Sequence, residues 1–283
     1  MKKILLATDF SKASEKVVHY ALTLFDDAAC EFTLFYSYGL LVPQGMESFM
    51  LDNIKAVAVQ SMEEFVDKIR QYDGLQYHQF KYELLATSPS SSIELLQQKH
   101  QYDLIVVGSS GLADDVYLGN EATDIIRNVE TNTLVVPYDV LIKPTQNIVL
   151  ALDYHQVQDY SFFESLKDLV KRKNATLTLL TILKEQEMPK DIDKITRFEY
   201  HNYFKDINTI DYFIKNNEVE NGIKEYLDNH EVDILAMVSR HHSFLDVVFD
   251  RSTTRHVALH PEVTMLSIYE QSGNLPNSEL ITY

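Results

Sequence analysis

Basic residues, cysteine and tryptophan are scarce in this chain of 283 residues, and long hydrophobic runs are missing. Only 25 lysines and arginines stand against 42 aspartates and glutamates, a formal charge of −17. A surface of that sign repels phosphate backbones and anionic headgroups, which argues against nucleic acid and membrane as partners. One cysteine, Cys30, rules out a disulfide framework within the chain and suits a reducing cytoplasm. The opening M-K-K-I-L-L-A-T-D-F reaches Asp9 after one short apolar run, and no later segment is long enough to cross a bilayer. The expectation is a cytoplasmic protein. What is present, 45% hydrophobic and 24% charged residues, is ordinary for a globular chain of one large or two medium domains.

The chain repeats itself. K-K-I-L-L-A-T-D-F at the start is matched by Q-N-I-V-L-A-L-D-Y at 146–154, so Asp9 corresponds to Asp153. An amphipathic pattern and then a β-rich run follow each copy: E-F-T-L-F-Y at 31–36 and T-L-T-L-L-T at 176–181. Y-D-L-I-V-V-G at 102–108 mirrors V-D-I-L-A-M-V at 232–238, and N-T-L-V-V-P at 132–137 mirrors T-M-L-S-I at 264–268. Repetition at half the chain length means two copies of one domain. The expected boundaries are 1–140 and 145–270, with a tail at 271–283.

In the first copy, predicted strands at 2–8, 31–37, 77–86, 103–107 and 133–137 alternate with predicted helices at 13–26, 48–72, 91–100 and 120–129. In the second, elements are predicted at 147–152, 160–173, 175–182, 209–214, 218–229, 233–238, 252–259 and 264–269. Segment 184–207, charged, aromatic and poorly periodic, offers no counterpart to the long helix at 48–72. Near-continuous apolar strands separated by helices indicate a parallel sheet covered on both faces. The predicted fold is α/β: two tandem doubly wound, Rossmann-like domains, each with a mostly parallel five-stranded sheet. The fifth strands, 133–137 and 264–269, are expected at the sheet edges, and exposed edges invite pairing. The two copies are therefore expected to pair through them, edge to edge, as an intramolecular pseudo-dimer; a homodimer of whole chains is left open.

Ligands of such sheets sit beyond the carboxyl ends of the strands, where the strand order reverses. Asp9 ends the first strand, and Val107 and Gly108 end the fourth. If these strands are neighbours, Asp9 and the glycine loop V-V-G-S-S-G-L-A-D-D-V-Y-L-G-N at 106–120 face one crevice. A carboxylate there can accept hydrogen bonds from ribose hydroxyls or an adenine amine. Gly108 and Gly111 permit close backbone approach, and a helix starting near Asn120 offers free N–H groups to phosphate.

On A-T-D-F-S at 7–11, V-V-G-S-S-G…L-G-N at 106–120 and T-L-V-V-P at 133–137, the chain resembles a tandem member of the universal stress protein family. The resemblance implies an adenine nucleotide, ATP or AMP, with Mg²⁺ or Mn²⁺ as a companion ion. It implies Asp9 on the ribose or adenine side with Thr8 beside it, and backbone near Ser37 and Tyr38 against the adenine. Val107, Gly108, Ser109, Ser110 and Gly111 would wrap the ribose and α-phosphate, and Gly119 and Asn120 would meet the outer phosphates. The family's ATP-binding members carry nine residues between the second glycine and the G-S or G-T step. Here seven separate Gly111 from Gly119, and Asn120 replaces the hydroxyl residue. Asp114, Asp115, Glu121 and Asp124 lie in or beside the loop with no Lys or Arg. Without a divalent cation to bridge them, these acids oppose a triphosphate and favour a less charged adenosine ligand.

The second copy lacks the glycines: Val238, His241, Arg251 and Ser252 hold the corresponding positions, at the family's nine-residue spacing. Its expected role is to cover and pair with the first. His241, His242, His256 and His260, with Asp246 and Asp250, gather near this loop, but their spacing matches no zinc signature, and surface histidines are the simpler reading. The aromatics between Phe198 and Phe213 read as core residues rather than a pocket. No Ser-His-Asp or Cys-His set and no phosphate-loop Lys is legible. The expected output is thus regulatory rather than catalytic. The alternatives are an interaction module that binds no nucleotide, and a nucleotide-dependent transferase or hydrolase on a related fold.

Overall fold

The structure, a computed structural model, describes residues 1–39, 48–72, 77–109, 120–157, 159–239 and 263–270. The first half runs β1 (Lys2–Ala7), α1 (Lys12–Leu24), β2 (Cys30–Ser37), α2 (Ser48–Ile69), β3 (Gln79–Leu85), α3 (Pro89–His100), β4 (Leu104–Ser109), α4 (Asn120–Asn128) and β5 (Thr133–Pro137). The second runs β6 (Asn147–Ala151), a single 3-10 turn at Ser161–Phe163, α5 (Glu164–Lys173), β7 (Thr176–Leu183), α6 (Lys194–Tyr203), β8 (Thr209–Lys215), α7 (Val219–Asn229), β9 (Ile234–Ser239) and β10 (Thr264–Tyr269). A short 3-10 turn, Pro189–Asp191, precedes α6. The helix predicted at 252–259 and the tail at 271–283 lie outside the described residues.

One reading of the sequence needs correction. Segment 184–207 contains a helix, α6. Asp193 caps it by accepting from Thr196 N at 2.7 Å and from Thr196 Oγ1 at 2.8 Å. The helix is ten residues long, and it buries Tyr200 and Phe204. Its apolar contacts are aromatic rings rather than an aliphatic stripe, which hides the helical period.

All ten strands form one sheet in the order β3-β2-β1-β4-β5-β10-β9-β6-β7-β8. Read from its own fifth strand outward, each half has the same order. Within a half every pairing is parallel; β5 and β10 join antiparallel, with Met265 opposite Val135, Leu266 opposite Leu134 and Ser267 opposite Thr133. The edge-to-edge pairing expected of the two fifth strands is therefore the seam of the molecule.

Alternate residues on each strand feed the two faces. Ile4, Leu6, Val106, Leu134, Ile148, Leu150 and Leu266 share one core with α1, α2, α5 and α6. Leu5, Ile105, Val107, Val149, Leu235 and Met265 share the other with α3, α4 and α7. Both cores run across the seam.

Charge reinforces the join. The chain after α1 carries Asp26 and Asp27, poorly matched to the negative end of a helix that has no basic residue in its last turn. The basic last turn of α5 compensates. Arg172 bonds Asp27 and, at 3.0 Å, Asp168; Lys173 reaches Asp26 at 2.7 Å and Asp27 at 3.4 Å. The Arg172 guanidinium also lies over the Phe25 ring, 5.2 Å from its centroid.

The connection between the halves is pinned at Asp233, which accepts from Gln146 N and Asn147 N at 2.8 Å and pairs with Lys143 at 2.7 Å. Burial pushes the Asp233 carboxyl up, but Lys143 and the two amides outweigh it and hold it below its ordinary value. A depressed native value means stability that is present above the unfolded-state value and lost as pH falls through the native one. Replacing Asp233 by Asn is expected to cost about 2 kcal/mol at neutral pH. The gap from wild type should narrow below about pH 4, as denaturant unfolding across pH will check.

Candidate functional site

β1 lies between β2 and β4, which is where the strand order turns back on itself. The strand adjacency on which the predicted crevice depends is present there. Leu6 pairs with Val106, so Thr8 and Gly108 sit side by side at the rim, while Thr8 N donates to Phe35 O at 2.9 Å and draws in the end of β2. The described rim therefore brings together Thr8, Asp9, Ser37, Tyr38, Val107, Gly108 and Ser109. Gly108 and Ser109 still belong to β4, slightly beyond the predicted strand end. Asn120 opens α4. Ser110, Gly111 and Gly119, with Asp114 and Asp115, lie outside the described residues.

The loop from β1 to α1 is built to project Asp9. Phe10 takes a left-handed backbone, φ 64°, and seats its ring against Tyr36 and Phe65 at centroid distances of 4.5 and 5.7 Å. Phe10 N donates to Thr8 Oγ1 at 3.0 Å, and Thr8 Oγ1 lies 2.9 Å from Ser14 Oγ. Ser11 caps α1 by accepting from Ser14 N at 3.1 Å. Asp9 itself remains exposed, with Oδ1 accepting from Ser11 N at 3.0 Å. Partial burial raises its carboxyl, but the hydrogen bonds from Ser11 and Ser14 prevail and hold it below the ordinary value. The rim thus presents a carboxylate that stays ionised near neutrality and can accept hydrogen bonds from hydroxyls or an amine.

At the end of β2, Tyr38 is buried and its N–H donates to Leu85 O at 2.9 Å, leaving its carbonyl as the backbone group not committed to that bond. Ser37 donates its hydroxyl to Thr87 O. Gly39 lies so close to the chain that follows β3 that a Cβ would stand 2.4 Å from Thr87 O. Gly39, Thr87 and Phe10 shape the rim, and of the three only Phe10, within A-T-D-F-S, stood out in the sequence. The glycine that ends the S-Y-G run was the available signal.

The second half's corresponding crevice is filled by its own side chains. Tyr154 repeats the left-handed backbone of Phe10, φ 51°, but its hydroxyl donates to Asp211 at 2.9 Å. Asp211 is also bonded by Arg197 and lies 3.2 Å from His201 Nε2. His155 N donates to Asp153 Oδ1 at 3.3 Å; the ring's Nδ1 lies 3.4 Å from the same oxygen and its Nε2 4.0 Å from Glu270 Oε1. Tyr200 closes the floor, donating to His155 O at 3.2 Å. Asp153, the counterpart of Asp9, is thus engaged by its neighbour. Val238, the next-to-last residue of β9, is buried. His241, His242, His256, His260, Asp246, Asp250, Arg251 and Ser252 lie outside the described residues. Among those described, no group of three or more His, Cys, Asp or Glu side chains could hold a metal ion. The aromatics between Phe198 and Phe213 divide: Tyr200 and Phe204 are buried, whereas Phe198 is 69% exposed.

The two rim glycines make opposite demands. At Gly108 an added methyl would meet only a methyl of Val17, at 3.3 Å. Gly108→Ala is expected to change stability by less than about 1 kcal/mol, and Gly39→Ala, which strikes backbone, to cost about 2 kcal/mol. Chemical denaturation of the two variants checks the contrast.

Comparison with known proteins agrees with this geometry. The family model described as the universal stress protein family matches residues 1–137. No curated protein matches the chain. A universal stress protein from Archaeoglobus fulgidus DSM 4304 is similar over 95% of this chain and 96% of its own, with a TM-score of 0.72 and 17% identity. A functionally unknown protein from Pseudomonas aeruginosa PAO1 aligns over 95% of this chain and 92% of its own, with a TM-score of 0.56 and 12% identity. The cytoplasmic domain of a prokaryotic cation chloride cotransporter aligns over 95% of both chains, with a TM-score of 0.59 and 9% identity. At these identities the likeness is one of fold, and it extends through both halves.

Proposed function

Because this chain belongs to the universal stress protein family through its first half, residues 1–137, we propose that this half binds an adenine nucleotide, ATP or AMP. The output would be a change in what the protein contacts rather than catalysis. The observation that carries the reading is an exposed, ionised Asp9 at the carboxyl end of β1, next to Thr8, which stands level with Gly108 of the paired β4. The carboxylate suits vicinal ribose hydroxyls. Gly108 has no side chain to keep a ligand from the backbone, and the start of α4 offers N–H donors to phosphate.

On this reading Asp9 and Thr8 hold the ribose, and the chain at Ser37 and Tyr38 borders the base. Val107, Gly108, Ser109, Ser110 and Gly111 surround the sugar and α-phosphate, with Gly119 and Asn120 at the outer phosphates. Mg²⁺ or Mn²⁺ would accompany a triphosphate, offsetting the loop's acids. The second half, which has Val238, His241, Arg251 and Ser252 where the glycine motif would stand, would not bind nucleotide in this way and would serve as a pairing partner. We assign the domains as 1–140 and 145–270 and the working compartment as the cytoplasm. No described helix is long and apolar enough to cross a membrane.

Calorimetric titration of nucleotide-stripped protein with ATP, AMP and adenosine, with and without Mg²⁺ or Mn²⁺, tests the proposal. One ligand per chain is expected. Asp9→Ala should weaken binding about tenfold or more, whereas Asp153→Ala should leave it unchanged. Folded protein that takes up none of the three ligands would favour an interaction module instead.

A further inference from the structure

Among the described residues the sheet has two free edges, β3 and β8. We propose that β3 is the docking edge for a second copy of this chain, joined antiparallel about Tyr82. The ladder determines which backbone groups are available. Tyr38 N donates to Leu85 O, and along one edge of a parallel strand bonded residues alternate with residues that turn away. Gln79, Lys81, Glu83 and Leu85 therefore bond toward β2. Phe80, Tyr82 and Leu84 direct their N–H and C=O groups outward, and among the described residues no strand pairs with them.

An antiparallel copy centred on Tyr82 sets Tyr82 opposite itself, Phe80 opposite Leu84 and Lys81 opposite Glu83. Each outward amide then meets an outward carbonyl. The charge pattern is self-complementary, because the twofold axis produces the Lys81–Glu83 pair twice. Both side chains lie on the α3 face. Lys81 is 2.6 Å from Glu31, and Glu83 is 3.7 Å from Lys99 and 3.3 Å from His100. Tyr82 lies on the opposite face, its hydroxyl 3.4 Å from Glu63 of α2.

Large apolar side chains border the strand: Tyr77 is 74% exposed, Leu95 53% and Tyr82 41%. A lysine in the middle of an edge normally repels foreign strands. Here Lys81, already paired with Glu31 within the chain, would gain a second carboxylate, Glu83, in the register that a second copy supplies. β8 is the poorer candidate, because Asp211 is held inside the second half by Arg197 and Tyr154. The seam between β5 and β10 consumes the other pair of edges, so β3 is the route left for growth of the sheet. The association does not depend on nucleotide.

Sedimentation of the full chain over a concentration series should give a species of twice the single-chain mass of 32.7 kDa. K81E sets Glu opposite Glu83 at both sites, and E83K sets Lys opposite Lys81. Each alone should raise the dimer dissociation constant about tenfold or more, and an equimolar mixture of the two should recover the dimer. Tyr82→Pro removes the central outward amide at a position where an edge strand tolerates proline, and it should give monomer with an unchanged circular dichroism spectrum. A wild-type chain that stays at the single-chain mass throughout overturns the proposal. So does a dimer that persists in all three variants, or a mixture of K81E and E83K that fails to reassociate.

Discussion

The antiparallel contact between β5 and β10 is the constraint on which the rest of the molecule depends. It is short, with three paired positions in register, extended by Tyr269 N donating to the Asn132 side chain at 2.9 Å. Everything around it is removed from water. Leu134, Val135, Met265 and Leu266 are buried, as are the polar Thr133, Thr264 and Ser267. Tyr20 of α1 is buried too, and burial raises its hydroxyl to about 12. Without the contact, two strands with apolar side chains on both faces would each expose an unpaired ladder, and both cores would be cut in two. The contact also sets direction. Because β5 and β10 run oppositely, the carboxyl-end rims of the two halves face opposite ends of the sheet, so neither crevice can share a ligand with the other.

Within that frame the halves have diverged at one step. Each ends its first strand with Asp followed by an aromatic residue in the left-handed region, Asp9-Phe10 and Asp153-Tyr154. Phe10 is apolar and sinks between Tyr36 and Phe65, which leaves Asp9 outward. Tyr154 carries a hydroxyl that must be satisfied when buried, and it recruits Asp211, with Arg197 and His201 behind it. Asp153, like Asp9, stays exposed and accepts a backbone N–H from two residues on. The same backbone seats an apolar ring in one half and a hydroxyl tied into a polar network in the other.

Much of this was legible in the residues. The doubled pattern ILLATDF and IVLALDY, the near-continuous apolar strands and their spacing led directly to two doubly wound halves and to the edge pairing. The adjacency of β1 and β4, a condition in the sequence reading, is met and sets Thr8 level with Gly108. Less visible were features that depend on distant chain segments. Apart from its Asp193 cap, little local marks α6, because the rings it buries, Tyr200 and Phe204 just after its end, find their partners Phe163, Tyr160 and Tyr154 in other elements. Gly39 matters only because Thr87, some fifty positions later, comes within contact distance. The engagement of Asp153 by His155 depends on a left-handed turn that an aromatic residue does not advertise.

Native-state hydrogen exchange along the whole chain tests most directly whether the seam makes the two halves one cooperative structure. Amides of 133–135 and 265–267 are expected to open only with global unfolding, at the same free energy as the interior of β1 and β6. Exchange of the 265–267 amides at markedly lower free energy, while β1 and β4 stay protected, would mean that the halves fold independently, and it would contradict the account.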